Sequence, residues 1–396
     1  MRNQIVITPV TLMTLSVLFS AMSLTMVEPF LAIFIHDNLN ASLGEIGIIV
    51  ALAAITAFAT RIPIALSLKS GRVLQFYVMS YALLIFIPIL YSFSSSIQMI
   101  VLIRVIHGIL EAINWTCGIS AVSLISSKER FRGSLLTYTI AISIGLMLGP
   151  GLASILISVL GIHATFVMAG IVMIPSLILS MIVYMKNRGL VEDVPRPSMH
   201  DVSGLLRTPL VWAAIVPYCM QALLYGVLIS YGALLGKNVY GLADNNISAL
   251  FFGYYALTTI TRIGLIRIMN RVPFRLLLVF GMSAGCLGLI VMGTTHEPLV
   301  YMIAFVSLGI PHGLIYPTTA VIVARATRKR NRLSANAIHL SCWDGGQIIG
   351  PLIGAIIISY LSIGETIVTS AAIPFLSILL LIMVTRKGLL NFSRKS

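Results

Sequence analysis

The chain has 396 residues, of which 58% are hydrophobic and only 10% charged, and its mean hydropathy is +1.01. A soluble domain of this length needs far more charge to cover its surface, so a water-soluble globular fold is excluded. The net charge of +14 invites a nucleic-acid partner, and the placement of the basic residues removes that reading.

Apolar runs of about 20 residues are long enough to cross the hydrocarbon core, where backbone groups must bond within the segment, so each run is read as a helix. In chain order the expected spans are 9–35, 44–68, 73–93, 98–124, 134–160 and 165–185, then 208–236, 246–269, 274–293, 298–324, 333–361 and 366–385. The first run is too long for a signal-peptide core and has no small-residue cleavage site, so it counts as helix 1. Segment 186–207 is the longest polar stretch and carries Pro195 and Pro197. It reads as a cytoplasmic linker between an N-terminal six-helix bundle (1–185) and a C-terminal one (208–396) with a short cytoplasmic tail. The expected fold class is an all-α membrane protein of twelve transmembrane helices in two bundles.

The basic residues gather in alternate loops. All but four of the 26 fall in segments that lie on one side if the N-terminus is inside, the four being Lys237, Arg61, Arg104 and Arg262. This is the positive-inside pattern, and it places both termini in the cytoplasm of a multi-pass cell-membrane protein. The basicity is topological. The four cysteines lie inside helices without metal-ligand spacing, so no metal site is expected.

Three short matches recur about half a chain apart. Thr60-Arg61-Ile62 in helix 2 corresponds to Thr261-Arg262-Ile263 in helix 8. His107-Gly108 in helix 4 corresponds to His312-Gly313 in helix 10. Gly145-x-x-x-Gly149-Pro150 in helix 5 corresponds to Gly346-x-x-x-Gly350-Pro351 in helix 11. Each links helix n to helix n+6, so the halves are related by duplication, and substrate is expected between them. Small residues at i and i+4 let helices approach closely in lipid, with the following proline as a hinge.

These motifs resemble the major facilitator superfamily over nearly the whole chain. Gly71 and Arg72 in the helix 2–3 loop are similar to the end of the family's G-x-L-x-D-R-x-G-R-R loop, with Leu68 in place of its Asp. Arg104-x-x-His107-Gly108 is similar to R-x-x-Q-G, and Lys128 to Gly133 resembles the charged loop that follows. Gly145, Gly149 and Pro150 match the helix 5 signature that the family associates with antiporters. Trp343-Asp344-Gly345 resembles an element of many efflux members. The resemblance implies the family's fold and alternating access, nearest in motif to drug or metabolite:proton antiporters.

Ionisable residues at membrane depth are expensive and therefore functional candidates. Arg104, His107, Glu111 and Asn114 share one stripe of helix 4, which is expected to face the aqueous cavity. Glu28 and Arg104 have similar depth and are expected to pair. Glu28, Glu111 and Asp344 are the proton-coupling candidates, against the plainer reading of hydrogen-bonded buried carboxyls. Arg61 and Arg262 either offer a two-arginine clamp to a small anion, as nitrate/nitrite porters do, or brace the cytoplasmic gate. Gln221, Tyr225, His312, Tyr316 and Gln347 are candidates for the C-half cavity, with packing as the competing role for the aromatics.

No nucleotide-binding loop, H-E-x-x-H or G-x-S-x-G motif occurs, so ATP coupling and the usual hydrolase chemistries are not expected, and neither is any cofactor. Two transport readings stay open: proton-coupled efflux of a small organic compound, and uptake or exchange of a small inorganic or carboxylate anion bound by Arg61 and Arg262. A non-transporting membrane sensor or enzyme is the third. The expected partners are a small-molecule substrate, protons or another coupling ion, and the bilayer, with the protein acting as a monomer.

Overall fold

The computed structural model describes residues 8–126, 131–187, 199–269, 271–327 and 332–385, and every regular element among them is helical. The spans are α1 (Pro9–Leu39), α2 (Leu43–Ser67), α3 (Val73–Ser92) and α4 (Ile97–Ile125). A single helical stretch, Phe131–Asn187, follows. It turns at Gly161, whose φ of 79° only glycine adopts without strain, and this splits it into α5 and α6. The second half contains α7 (Pro209–Asn238), α8 (Asp244–Ile268), α9 (Phe274–Thr294), α10 (Pro298–Ala326) and α11 (Arg332–Ile357). Its last span, α12, is built from Ile363–Ser370 and Ala372–Thr385. Twelve membrane helices result. The stretch expected to be an irregular linker carries a short helix, Met199–Leu206. Lys128 to Arg130 of the helix 4–5 loop and 188–198 of the linker lie outside the described residues.

Local sequence sets the helix ends and bends. Ser42 and Ser362 open α2 and α12 with capping boxes completed by Glu45 and Glu365, which satisfies otherwise orphaned amide donors. Proline lacks the amide that the carbonyl four residues earlier needs, and its ring crowds that turn. Accordingly α1 is interrupted at Met26–Val27 before Pro29, α3 at Ile85 before Pro88, α10 at Leu308 before Pro311, and α12 at Ala371 before Pro374.

Glycines set the packing, and the two halves use them alike. A Cβ on Gly108 of α4 would strike the Ala53 carbonyl of α2, and one on Gly313 of α10 would strike the Thr258 carbonyl of α8. Gly145 meets the Leu18 carbonyl of α1, as Gly346 meets the Cys219 carbonyl of α7. The motif glycines of α5 and α11 therefore pack inside their own halves. Their prolines reach across: the Pro150 carbonyl accepts from Ser248 of α8 (2.7 Å), and the Pro351 carbonyl lies against Gly47 of α2. Gly108→Ala and Gly346→Ala should each lower stability by roughly 1–3 kcal/mol, because backbone must move to admit the methyl. Gly264→Ala, with open space around it, should leave the thermal midpoint unchanged.

The side with few basic loops is held closed. Lys237 at the end of α7 bonds Asp37 of α1 at 2.5 Å and Asp244 of α8 at 2.7 Å. Nearby, Ser154 of α5 donates to the Asn245 carbonyl at the start of α8.

Candidate substrate and proton site

Deeper in the membrane, two arginines meet the opposite half. Arg61 lies six residues before the end of α2 and is 3% exposed. Its Nε and Nη2 donate to Oδ2 and Oδ1 of Asp344 in α11 at 2.6 and 2.8 Å. Asp344 is as buried, at 4%, so this is a side-on, two-bond ion pair across the halves. Arg262 of α8 instead donates from Nη1 to the Ser143 hydroxyl of α5 at 2.6 Å, with its guanidinium 5.4 Å from the centre of the Tyr316 ring. The expected two-arginine clamp is thus not formed. Arg61 is committed to a protein carboxylate, which the sequence places in a different helix with nothing to mark the pairing.

In the N-half, the break in α1 falls immediately before Glu28, whose Oε2 accepts a hydrogen bond from the Tyr225 hydroxyl of α7 at 3.2 Å. Tyr225 in turn lies 2.7 Å from the Tyr255 hydroxyl of α8. Glu28 and Arg104 form no direct salt bridge, although the guanidinium is among the charges that act on the carboxyl. Arg104 instead donates to the Ile49 carbonyl (Nε, 3.1 Å) and the Val50 carbonyl of α2. The reason is Gly108: it seats α4 against the α2 backbone at Ala53, and Arg104, one turn away, meets the carbonyls one turn from Ala53. His107 is also spent inside the half, at 3.2 Å from the Tyr91 hydroxyl of α3.

The helix 4 stripe does face inward. Arg104, His107 and Asn114 are buried, whereas Glu111 is partly accessible, as is Glu28. Glu111 borders a slot also lined by Ser20, Ser23, His107, Asn114 and Trp115, a polar site with room for water.

The C-half presents an aromatic wall. Tyr218 stacks on His339 at 4.1 Å, and Trp343 lies 5.3 Å from Tyr218 and 5.4 Å from both Tyr225 and His312. The two histidines are held by hydroxyls: His312 Nδ1 is 2.7 Å from Tyr254 Oη, and His339 Nε2 is 2.9 Å from Thr319 Oγ1. Gln221 is buried with its Oε1 unpartnered, while Tyr316, Trp343 and Gln347 are partly accessible. Gly71 and Arg72 sit apart, in the exposed turn between α2 and α3, and a Cβ on Gly71 would point into open space. Tyr91, Tyr254, Tyr255 and Ser143 carry no mark in the sequence, since hydroxyls within apolar runs look like packing.

Other proteins share this fold. The sequence profile of the Major Facilitator Superfamily matches residues 13–321 and 298–395. No curated protein matches the chain at the level of sequence. Among solved structures, the chain is similar to a bacterial homolog of the human lysosomal transporter Spinster in an inward-facing, unoccupied conformation (TM-score 0.73, 12% identity, 98% of each chain). It is also similar to a POT family transporter in complex with a thioalcohol-conjugated peptide and to one in complex with 5-aminolevulinic acid (each TM-score 0.78, 13% identity, 96% of each chain). At such identities the likeness establishes the fold. The profile match over almost the whole length, on twelve helices in two duplicated halves, makes this chain a member of the Major Facilitator Superfamily, a multi-pass membrane transporter and not an enzyme.

Proposed function

We propose that the protein exports a small organic compound in exchange for protons, with the basic loops in the cytoplasm and the two halves rocking about the central cavity. Glu28 and Glu111 carry the proton. One observation carries this reading: Glu28 makes no direct salt bridge, with Arg104 acting on it only at longer range, and takes its hydrogen bond from Tyr225 of the other half. An ionised carboxyl at this depth is costly without a cation, and a group that touches both halves senses whether they are together. Its protonation state is therefore tied to the conformational cycle. Glu111, at the water-sized slot, gives the proton a second station. Export is favoured by Gly145, Gly149 and Pro150, which match the antiporter signature.

The test is proton movement. Candidate solutes that raise the thermal midpoint of the purified protein are to be loaded into proteoliposomes under an imposed pH gradient. Solute efflux is expected to move protons inward and to collapse with the gradient. Transport that ignores the gradient and moves no protons would overturn the coupling.

A further inference from the structure

The repeat that relates Arg61 to Arg262 also relates Ser143 to Asp344, because Gly145 and Gly346 stand two residues beyond them. The α2–α11 and α8–α5 contacts are thus two copies of one interface. In one copy the arginine meets a carboxylate; in the other the same position offers only a hydroxyl. Arg61 spends its Nε–Nη2 edge on Asp344. Arg262 makes its hydrogen bond from Nη1, and its buried Nε has no partner. The groups that face it include no carboxylate: the Ser143 hydroxyl, the rings of Tyr316, Tyr218, Tyr254 and Tyr255, and the His312 imidazole.

A guanidinium at membrane depth without a counter-anion is costly, and this one keeps free the edge that its twin uses to grip a carboxylate. Arg262 is partly accessible, as are Tyr316 and Trp343 beside it. We infer that Arg262 is the receptor for the carboxylate of an organic monoanion, which completes on binding the ion pair that Asp344 completes permanently for Arg61. The aromatic wall of Tyr316, Tyr218 and Trp343 receives the apolar or planar body of the same molecule. This rests on the transporter reading and narrows its substrate to organic acids.

The probes are benzoate, phenylacetate and hexanoate, with benzamide and benzylamine as neutral and cationic controls, added to the purified full-length protein while its thermal midpoint is followed. The three carboxylates are expected to raise the midpoint with concentration, and the controls are not. Arg262→Gln should abolish the rise. Arg262→Lys, which keeps charge but loses the planar edge, should weaken carboxylate affinity about tenfold.

Ser143→Asp is the decisive variant. By rebuilding the symmetric pair it should raise the unliganded midpoint by about 2–4 °C and remove the carboxylate response. Should that variant fail to fold, Arg262→Gln carries the test. Stabilisation by benzamide equal to that by benzoate, no response to any carboxylate, or a full response in Ser143→Asp or Arg262→Gln would overturn the site. Carboxylate binding that depends on Arg262 without proton movement in proteoliposomes would leave the site standing and remove only the coupling. Proton-coupled transport of solutes that ignore Arg262 would do the reverse.

Discussion

Asp344→Ala is expected to destabilise the protein by about 3–5 kcal/mol, the cost of leaving a buried charge uncompensated. Arg61 and Asp344 are almost entirely out of solvent, and both guanidinium–carboxylate bonds are short, so water cannot replace the lost partner. Arg61 already holds one nitrogen, Nη1, without a hydrogen bond, which leaves it no alternative acceptor to fall back on. Asp344→Asn should lose nearly as much, because the amide keeps the shape but not the charge. The double variant Arg61→Leu/Asp344→Leu should recover most of the stability, since removing both charges also removes their desolvation. Thermal and denaturant melts of the three variants check the ordering. A single-variant loss below ~1 kcal/mol would mean that the pair behaves as a surface bridge. Transport should fail in the double variant even where stability returns, because the pair joins α2 to α11 across the moving interface.

Glu111→Gln should stop pH-driven transport while leaving ligand binding in place without its pH dependence. The slot beside Glu111 has Ser20, Ser23, His107 and Asn114 on its walls. Glutamine fits the same space and can still donate and accept, but it cannot pick up and release a proton. Glu28→Gln should have the same effect on coupling and a second effect of its own. The Tyr225 hydroxyl donates to Glu28 across the halves, and the glutamine carbonyl can accept that bond, so ligand affinity should change by no more than about threefold. Tyr225→Phe isolates the contact: the bond between the halves is lost and the titratable carboxyl remains. Proton flux and ligand binding measured on the same proteoliposome preparations separate these outcomes. Gradient-driven transport at the wild-type rate in both glutamine variants would exclude Glu28 and Glu111 as proton carriers.

Much of the architecture was legible in the sequence because the bilayer imposes it. Span length, internal backbone bonding and the bias of basic loops are one-dimensional constraints, and they are visible in one-dimensional data. The repeat was legible for the same reason, and Gly108, Gly145, Gly313 and Gly346 mark helix contacts that the two halves share. Partner choice was not. Depth alone suggested Glu28 for Arg104, but the close approach at Gly108 turned Arg104 towards carbonyls of α2. Arg61 and Asp344 are far apart in the chain, and no periodicity links them. The offset of the repeat does carry a clue: applied to Asp344, it lands on Ser143, an interface position where the two halves differ in charge. Tyr254 and Tyr255 could not have been found by pattern, since tyrosines in an apolar helix read as packing until their hydroxyls are located.

The cluster at Lys237 has a consequence for the environment the protein works in. One ammonium is shared by two carboxylates, Asp37 from the N-half and Asp244 from the C-half, so opening this face must part a cation from an anion in partial contact with bulk electrolyte. Salt weakens attractions of that kind within a Debye length of about 8 Å at physiological ionic strength. The described basic loops, such as those holding Lys69, Arg72, Arg271 and Arg275, lie on the other face, so the two surfaces respond to ions differently. Electrolyte on the face carrying Lys237 loosens a lock, while on the other it only screens like charges. The composition of the compartment facing Lys237 therefore becomes a thermodynamic variable of the transport cycle, acting on the resting population of the closed state with no dedicated ion-binding site.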